Sequence, residues 1–390
     1  LVILSPCMSF ASEGDLASLI AERLDYMRDV AAYKWQHELP ITDIAREHFV
    51  INAGVIGGLT RSITRESSER FYRSQIEAAK VVQRCWYERW QKEDEPTSSV
   101  NLTDVIRPIL VELDNNISAQ LTSASLDAVD FNSAVQVECL SNDAKREVHE
   151  SVREISFYDS RLHQIVDSKI LRVGTTGDYA PFSFSGHGQA FSGIDIDLAH
   201  ELASHLNASV TFVQTSWPNL MSDFASGKFD IGMSGISITK HRKRKAFFTR
   251  PYHIGGKTPI ALCTRINSFK SIEAINVPKM KIVVNPGGTN EKFIDNNIRR
   301  AKKIIVEDNR DIFRYIVEEM ADLMITDKIE VDFQSARHPE LCGLAADSTF
   351  TYQEKGYMIP REPELLAAIN SWLEQAQQSG SLQAAFDRHL

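Results

Sequence analysis

Residues 170–217 include ILRVGTT (170–176), IDIDLAHELASHL (194–206) and VTFVQTSW (210–217). The first and last segments are short apolar runs rich in β-branched residues, which is typical of buried strands. In the middle segment apolar residues recur at helical spacing. Strand and helix continue to alternate to the C-terminus, and this pattern predicts an α/β domain with largely parallel sheets.

The preceding residues follow a different pattern. From about residue 15 to 166 glycine is almost absent, and apolar residues recur every three or four positions, as in Leu16, Leu19 and Ile20. This periodicity predicts an all-α bundle of roughly 150 residues. We expect one long helix up to Leu39-Pro40, a next helix capped by Thr42-Asp43, and helices over about 67–91 and 101–121. More helix should follow over about 126–165. The predicted domains are therefore 12–166 and 167–390.

Composition limits the possible functions. The 390 residues include 52 acidic side chains against 43 Lys and Arg, which gives a formal net charge of -9. A nucleic-acid-binding protein usually has a basic domain, so we expect no nucleic-acid partner. Hydrophobic residues make up 43% of the chain, enough for two or three cores. No stretch approaches the roughly 20 apolar residues of a membrane span, and we expect no stable membrane association.

The chain begins LVILSPCMSFASEGD, an apolar segment in which Ser9-Phe10-Ala11 resembles a signal-peptidase site. We interpret residues 1–11 as the remnant of a secretory signal, which predicts a periplasmic protein; an ordinary apolar terminus is the alternative. Export permits disulfides. Beyond Cys7 there are two cysteines in each half, so one bridge within each half is the simplest pairing.

Two cations in the helical half stand out. Arg23 and Lys34 are 11 residues apart, close to three helical turns, so they project from one face. From spacing alone, an equal alternative is that both residues are surface cations, whose aliphatic side-chain stems lie along apolar residues while the charges remain in water. However, AERL (21–24), AAYKWQHELPITDIAREHF (31–49), RFYRSQIEAAKVVQRCW (70–86) and LTDVIRPILVELDNN (102–116) resemble the secreted all-helical chorismate mutases. The resemblance covers roughly residues 14–120.

This resemblance implies a mutase pocket and a role for each residue in it. Rearrangement of chorismate to prephenate needs no cofactor, metal or nucleophile; the pocket must hold a compact dicarboxylate and stabilise charge on the ether oxygen. Arginine pairs well with carboxylates, and Lys or Gln can donate to the ether oxygen. The implied carboxylate ligands are Arg23, Arg46 and Arg107, and the implied catalytic donors are Lys34 and Gln83. Glu47 would bind the ring hydroxyl, although an exposed helix Glu is an equal alternative.

The pocket also departs from the secreted mutases. They can have Glu where this chain has Gln83, Thr where it has Ala79, and Gln where it has Val50. A neutral Gln83 donates without being protonated, so the mutase should not require acid pH. Ala79 and Val50 cannot supply polar contacts, which leaves a decayed mutase as one reading of the helical half.

Three segments of the α/β half resemble the periplasmic amino-acid-binding proteins: VGTTGDYAPFSF (173–184), FSGIDIDLAHEL (191–202) and FDIGMSGISITKHRKRKAFFTRPY (229–252). The resemblance implies two lobes around a hinge, over about 167–258 with 352–390, and about 259–351. In that family the SIT-x-x-R element binds the ligand carboxylate through its Arg, here Arg242. The cations that follow at 243–245 should face solvent.

Further motifs resemble one exported family on this fold, cyclohexadienyl dehydratase. They are HIGGKTP (253–259), NPGGTNEKFI (285–294) and ADLMITDKIEV (321–331). That family converts prephenate to phenylpyruvate, and often arogenate to phenylalanine. The reaction expels hydroxide, a poor leaving group, so it needs a general acid that stays protonated. The resemblance implies Glu330; a carboxylate on the helix surface is the alternative.

The dehydratase resemblance also implies substrate ligands. Asp327 would either order the site or meet the amino group of arogenate. The other implied pocket residues are Asp178, Trp217, Ser237, Lys257, Thr289 and Asn290. The chain first crosses between the predicted lobes near Cys263 and returns after Cys342, and in an exported protein a bridge between these two is favoured over free thiols. For Cys85 and Cys139, which we place on helices, pairing and free thiols are equally favoured.

The leading hypothesis is a bifunctional exported enzyme, whose helical half makes prephenate and whose α/β half dehydrates it. A solute-binding protein with a helical stalk is the alternative from another class. It explains Arg242 but neither the mutase cations nor Glu330. Because secreted mutases are usually dimers, we also expect a dimer formed through the helical half.

Overall fold

The computed structural model describes residues 15–92, 95–96, 100–121, 127–186, 190–344 and 349–390, so the predicted signal remnant lies outside the described residues. The chain divides into two compact units between Asp159 and Ser160. This boundary precedes the predicted junction at 166–167. The reason is that the helix Arg161–Ser168 packs its buried Ile165 against Leu171 of the second unit's core.

The first unit is helical, as expected. Its helices are α1 (Leu16–Asp25), α2 (Met27–Gln36), α3 (Ile44–Leu59), α4 (Arg65–Trp90), α5 (Arg107–Gln120), α6 (Ala128–Ala134) and α7 (Asn142–Arg153), and a π-helical turn, Leu102–Ile106, leads directly into α5.

The prediction of one long first helix was wrong in its continuity. The first long helix is interrupted at Tyr26, which separates α1 from α2. The further helix predicted over 126–165 consists of α6, α7 and the start of α8 (Arg161–Ser168). Each of these three begins at a side chain that accepts a backbone N–H, from Asp127, Ser141 or Ser160.

The long α4 is the central element of the helical core. It buries Phe71, Val82 and Trp86 among other apolar side chains, and it packs closely against α3. Gly54 of α3 permits this approach, because a Cβ there would lie 2.1 Å from the ring of Tyr72. The adjoining helices therefore come near enough to enclose a cavity.

The second unit is an α/β structure. Its strands are β1 (Ile170–Thr175), β2 (Asp178–Tyr179), β3 (Ser183–Phe184), β4 (Ser209–Gln214), β5 (Ile231–Gly232), β6 (Phe247–Phe248), β7 (His253–Gly255), β8 (Lys257–Leu262), β9 (Lys281–Val284), β10 (Lys302–Ile305), β11 (Leu323–Asp327), β12 (Leu341–Gly343), β13 (Gln353–Lys355) and β14 (Met358–Ile359). Its helices after α8 are α9 (Ile194–His205), α10 (Leu220–Ala225), α11 (Lys240–Lys243), α12 (Ile272–Ile275), α13 (Thr289–Asn297), α14 (Ile312–Val317), α15 (Lys328–Arg337), α16 (Pro363–Ser379) and α17 (Ser381–His389), with 3-10 turns at Ile266–Ser268 and Asn309–Asp311.

Two five-stranded sheets form the two lobes, in the orders β4-β1-β5-β14-β6 and β10-β9-β11-β8-β12. The β1–β4, β1–β5, β9–β10 and β9–β11 pairs are parallel. By contrast, β8 is antiparallel to β11 and β12, and β14 is antiparallel to β5 and β6. The sheets are therefore mixed rather than largely parallel. The antiparallel strands β8 and β14 each follow a strand of the antiparallel pair β7–β13, where the chain crosses between the lobes.

Two disulfides join cysteines within the units, Cys85–Cys139 and Cys263–Cys342. The second, which the sequence favoured, connects the residue after β8 to β12. Cys139 was wrongly placed on a helix: it lies between α6 and α7 with a left-handed φ of 69°. Among the described residues, no helix is both long and apolar enough to cross a bilayer.

Two candidate active sites

The helical unit contains a cavity of about 120 Å³. The six side chains that the mutase resemblance implied all line it: Arg23, Lys34, Arg46, Glu47, Gln83 and Arg107. They come from α1, α2, α3, α4 and α5, so the cavity depends on the packing of five helices. Val50 and Ala79, the two departures from the secreted mutases, form part of its apolar wall.

Arg23 is almost completely buried, at 5% exposure, and its Nε donates to Asp114 Oδ1 over 2.7 Å. Its Nη1 is buried and has no hydrogen-bond partner among the residues described. A buried guanidinium with a spare donor favours an anionic ligand, because an unpaired buried donor is costly. Asp114 fixes one side of the group and leaves the other available.

Lys34 and Gln83 also have donors and acceptors at the cavity. Lys34 Nζ donates to the Ile41 carbonyl over 2.7 Å, and burial lowers the pKa of this ammonium, with Arg107 contributing in the same direction. The Gln83 amide lies 3.7 Å from Met27 Sδ, a weak contact that a better acceptor would replace. These two groups match the donors needed at an ether oxygen.

Glu47 is held by a lysine that the sequence analysis missed. Lys80 Nζ lies 2.8 Å from Glu47 Oε2, while the buried Oε1 has no partner in the described part of the chain. An exposed helix Glu is therefore a poor description of Glu47. The sequence analysis also missed Asp114, the partner of Arg23. Helical spacing could have revealed both residues, because Lys80 lies three positions before Gln83 and Asp114 lies seven after Arg107.

The second candidate site lies between the two lobes of the α/β unit. Its cavity measures about 20 Å³, room for about one water molecule, so a larger ligand requires the lobes to separate. The lining residues are Tyr179, Trp217, Gly235, Ser237, Arg242, Asn285, Gly288, Thr289, Asn290 and Asp327. Six of the predicted residues are among them, whereas Asp178, Lys257 and Glu330 are not.

Arg242 occupies the position that the SIT-x-x-R element implied. Thr239 caps the short α11, and Arg242 Nη1 donates to the Ser237 carbonyl over 2.9 Å. The side chain is buried and its guanidinium carbon lies 6.0 Å from the centre of the Trp217 ring. Burial lowers its pKa to about 10, so the group remains cationic at neutral pH. Residues 243–245 are exposed, as expected.

Asp327 is surrounded by proton donors. Lys257 Nζ lies 2.6 Å from its Oδ1 and Lys355 Nζ lies 2.7 Å from its Oδ2, which also accepts the hydroxyl of Tyr179. The two lysines hold the pKa of Asp327 well below its usual range despite burial. The remaining donors of Lys257 contact Thr289 Oγ1 at 3.0 Å and Asn290 Oδ1. Lys257 therefore lies behind Thr289 and Asn290, with which it was expected to bind the substrate.

Glu330 lies in the first turn of α15, directly behind this cluster, and has no exposed surface. Asn309 Nδ2 donates to its Oε1 over 3.0 Å, and the Thr326 hydroxyl donates to its Oε2. Burial, reinforced by the charge of Asp327, raises its pKa to about 8. The alternative of a surface carboxylate is therefore wrong, and Glu330 stays largely protonated at neutral pH.

Asp178 also lies just outside the lining. Its Oδ1 accepts the indole N–H of Trp217 over 3.1 Å, and burial raises the pKa of its carboxyl. Sequence reasoning missed further residues at this site: Tyr179, Asn285, Asn309, Thr326 and Lys355. Tyr179 and Thr326 are next to predicted residues, but nothing local in the sequence distinguishes Lys355.

Comparisons with known proteins agree with this division into two units. Residues 171–390 match the family model of the bacterial extracellular solute-binding proteins, family 3, and residues 13–84 match that of chorismate mutase type II. Cyclohexadienyl dehydratase of Pseudomonas aeruginosa is 47% identical over 232 residues, which are 60% of this chain and 87% of that protein. The secreted chorismate mutase of Yersinia pestis is 36% identical over 108 residues, 28% of this chain and 58% of the relative.

A solved structure is similar to the α/β unit. It is an ancestral amino acid-binding protein, a precursor of cyclohexadienyl dehydratase, and is 35% identical with a TM-score of 0.55. The match covers 59% of this chain and 99% of that one. The fold is therefore that of a two-lobed solute-binding protein, preceded by a helical chorismate mutase region.

The raised pKa of Glu330 predicts a pH-dependent stability. The folded state favours the protonated form of Glu330. The contribution of this carboxyl to the free energy of unfolding is therefore complete below the ordinary pKa of 4.5 and is lost as the pH rises through about 8. Glu330→Gln cannot ionise. Its free energy of unfolding relative to the wild type should rise by on the order of a few kcal/mol between pH 5 and pH 9.

Thermal and denaturant unfolding at several pH values measure this difference. The exposed Glu340 provides the matched control, and Glu340→Gln should show a nearly constant difference. An equally constant difference for Glu330→Gln would contradict a buried, protonated Glu330.

Proposed function

Because the chain belongs to the bacterial extracellular solute-binding proteins, family 3, and its α/β unit is a homologue of cyclohexadienyl dehydratase, we propose that it is a bifunctional enzyme that converts chorismate to prephenate and prephenate to phenylpyruvate. The chorismate mutase region supplies the isomerase activity, and the α/β unit supplies the lyase activity. The observation that carries this proposal is that one chain combines a cationic helical cavity with a buried, protonated acid behind an interlobe cavity. The product of the first reaction is the substrate of the second.

In the mutase site, binding and charge stabilisation are sufficient for catalysis. Arg23, Arg46 and Arg107 would pair with the two carboxylates and hold the substrate in its compact form. Lys34 and Gln83 would donate to the ether oxygen as its bond to carbon breaks and a carbon–carbon bond forms elsewhere in the same molecule. The charge on that oxygen grows only in the transition state, so these donors lower the barrier.

The free oxygen of Glu47 would accept the ring hydroxyl of chorismate, because Lys80 already holds the other oxygen. Lys80 is then a positioning residue. Asp114 has the same relation to Arg23. Lys80 and Asp114 both line the cavity, and each orients a side chain that would contact the substrate.

In the dehydratase site, Arg242 would bind a carboxylate of prephenate, and Thr289 and Asn290 would bind its remaining oxygens. Ser237 and Trp217 would complete the walls, with Asp178 orienting the indole of Trp217. Lys257 would act behind Thr289 and Asn290 in this arrangement, through its contacts with both. Lobe closure would exclude water and strengthen each of these polar contacts.

The chemical step assigned to Glu330 is proton donation. The bond between the ring and its carboxylate breaks and releases carbon dioxide, and the electron pair enters the ring. The ring then expels its hydroxyl oxygen, which takes the proton of Glu330 and leaves as water. Glu330 becomes a carboxylate and is reprotonated from solvent. A pKa of about 8 allows it to hold this proton at neutral pH.

A periplasmic amino-acid-binding protein with a helical stalk remains the second candidate, because the fold is shared with such proteins. It is less supported, since binding alone gives no role to a buried acid or to the cationic cavity of the helical unit. We also propose export to the periplasm, supported by the secreted and extracellular relatives. A dimer through the helical unit is supported by the exposed apolar residues Ile44 and Phe49 of α3.

Lys34→Ala should lower mutase turnover by at least about 100-fold, because it removes a donor to the developing charge. Loss of chorismate absorbance measures the rate. The exposed Lys92 is the matched control, and Lys92→Ala should retain activity. A wild-type rate in folded Lys34→Ala protein would refute the assignment of Lys34.

Arg242→Ala should lower dehydratase kcat/KM by about 100-fold or more while mutase activity is unchanged, because a buried ionic contact to the substrate is lost. Lys243→Ala removes the neighbouring exposed cation and should affect neither activity. Phenylpyruvate formation from prephenate provides the measurement. Equal rates for the two variants would show that Arg242 does not contact the substrate.

A further inference from the structure

The acid assigned to the dehydratase reaction does not itself line the interlobe cavity. Glu330 has no exposed surface, and within the described residues the hydrogen-bond partners of its carboxyl are Thr326 and Asn309. These two side chains are buried as well, with 0% and 2% exposure. The hydrogen bonds around the acid therefore depend on the protein's own donors and acceptors.

The direction of the hydrogen bond between Thr326 and the acid follows from a lysine. Lys257 Nζ contacts Asn290 Oδ1, and an ammonium can only donate. The amide of Asn290 is therefore oriented with its Nδ2 towards Thr326 Oγ1, at 3.0 Å. Because the hydroxyl of Thr326 accepts this contact, its own hydrogen is available for Glu330 Oε2. Thr326 thus acts as a donor to the carboxyl.

Asn309 is a donor to the same carboxyl. Its Nδ2 lies 2.9 Å from the carbonyl oxygen of Asp178, which can only accept, and 3.0 Å from Glu330 Oε1. These two contacts use both hydrogens of the amide. Each oxygen of the Glu330 carboxyl therefore accepts one hydrogen bond, and neither contact accepts the hydrogen that the neutral acid carries.

A carboxyl that receives donors on both oxygens is prepared to lose its proton. Hydrogen bonds to a charged acceptor are roughly twice as strong as those to a neutral one, so both donors favour the carboxylate over the neutral acid. Burial has the opposite and larger effect and raises the pKa of Glu330 to about 8, while the hydrogen bonds from Thr326 and Asn309 lower it. Burial keeps the proton on the acid, and the donors make its transfer easier.

Thr326 also connects the acid to a residue of the substrate cavity. Asn290 lines that cavity, whereas Thr326 does not, and the hydroxyl of Thr326 is the single group between the Asn290 amide and Glu330 Oε2. Thr326 belongs to β11, and Glu330 lies in the first turn of the following helix, α15. Adjacent elements of one lobe therefore hold the hydroxyl against the carboxyl.

We propose that Thr326 is a positioning residue for proton donation in the dehydratase reaction, whose hydroxyl stabilises the carboxylate that Glu330 becomes. In this step the O–H bond of Glu330 breaks and its electron pair stays on the carboxylate. The proton forms a bond to the leaving hydroxyl oxygen of the substrate, which departs as water. The inference rests on the dehydratase activity proposed above, and Thr326 acts through Glu330 rather than by touching the substrate.

The first test is Thr326→Val, which replaces the hydroxyl by a methyl group of similar size. Dehydratase kcat should fall by about tenfold or more with KM little changed, because the lost hydrogen bond is strong only once the acid is charged. Thr326→Ser restores the donor and should retain most of the wild-type rate. Thr211→Val, at a half-buried strand position of β4, is the matched control and should not change kcat.

Phenylpyruvate formation from prephenate measures these rates, and mutase turnover of chorismate should be the same in all variants. An unchanged dehydratase kcat in folded Thr326→Val protein would overturn the inference.

The pH dependence of kcat separates this role from a purely structural one. Only the protonated acid can donate, so kcat should fall as the pH rises through the pKa of Glu330. The charges of Asp327 and Lys257 also act on this pKa, and Thr326→Val removes neither. Without the hydroxyl the pKa of Glu330 is higher, so the fall should move to higher pH in Thr326→Val. A reduced kcat whose fall stays at the wild-type pH would contradict the proposed role.

Two further measurements cover the remaining outcomes. If Thr326→Val does not fold, Thr326→Ala removes the same hydroxyl with a smaller side chain and should show the same shift. A wild-type chain that forms no phenylpyruvate would refute the proposed function, and unfolding then tests the hydrogen bond itself. Above pH 8, the stability of Glu330→Gln relative to its parent should rise further in the Thr326→Val background than in the wild type. The same pH dependence in both backgrounds would overturn the inference.

Discussion

Asp327 receives proton donors from different parts of the α/β unit: Lys257 at the start of β8, Lys355 at the end of β13, and Tyr179 of β2. These elements belong to one lobe, to the crossing between the lobes and to the other lobe. Breaking a buried pair of this kind by removing one partner typically costs about 3–5 kcal/mol. The closed form of the site therefore depends on this cluster.

The same cluster affects chemistry through Glu330. A paired but still negative Asp327 adds to the effect of burial and disfavours a second negative charge on Glu330. The acid therefore keeps its proton at neutral pH, which a general acid for an expelled hydroxyl requires. A fold used elsewhere to bind amino acids can thereby support a lyase reaction, provided that a buried acid and a suitable ligand set are present.

The helical unit meets a different chemical requirement. Its reaction involves no proton transfer to a leaving group, so the site requires no general acid. Instead, cations from five helices line the cavity. Asp114 holds Arg23 in place, and Lys80 holds Glu47. Spare buried atoms such as Arg23 Nη1 and Glu47 Oε1 are groups that a polar anionic ligand would satisfy.

Much of this arrangement could be predicted from sequence, since helical periodicity and short motifs are local properties. The two units, the six mutase side chains and the SITKHR element at 237–242 follow from spacing and resemblance. Lys355 could not be found in this way, because its partner Asp327 lies 28 residues earlier and the two meet only through the return strand. Strand direction in β8 and β14 was missed for the same reason: it depends on where the chain crosses between lobes. The break in the first long helix at Tyr26 was also missed, because the apolar periodicity continues across it.

The central claim is that one chain performs two consecutive reactions. Incubation of the purified full-length chain with chorismate, with chorismate, prephenate and phenylpyruvate followed over time, tests it directly. The account predicts that chorismate disappears, prephenate forms first and phenylpyruvate accumulates without any added cofactor. If chorismate is not consumed, no phenylpyruvate forms and the chain binds an amino acid tightly, the account is contradicted and a solute-binding protein is favoured.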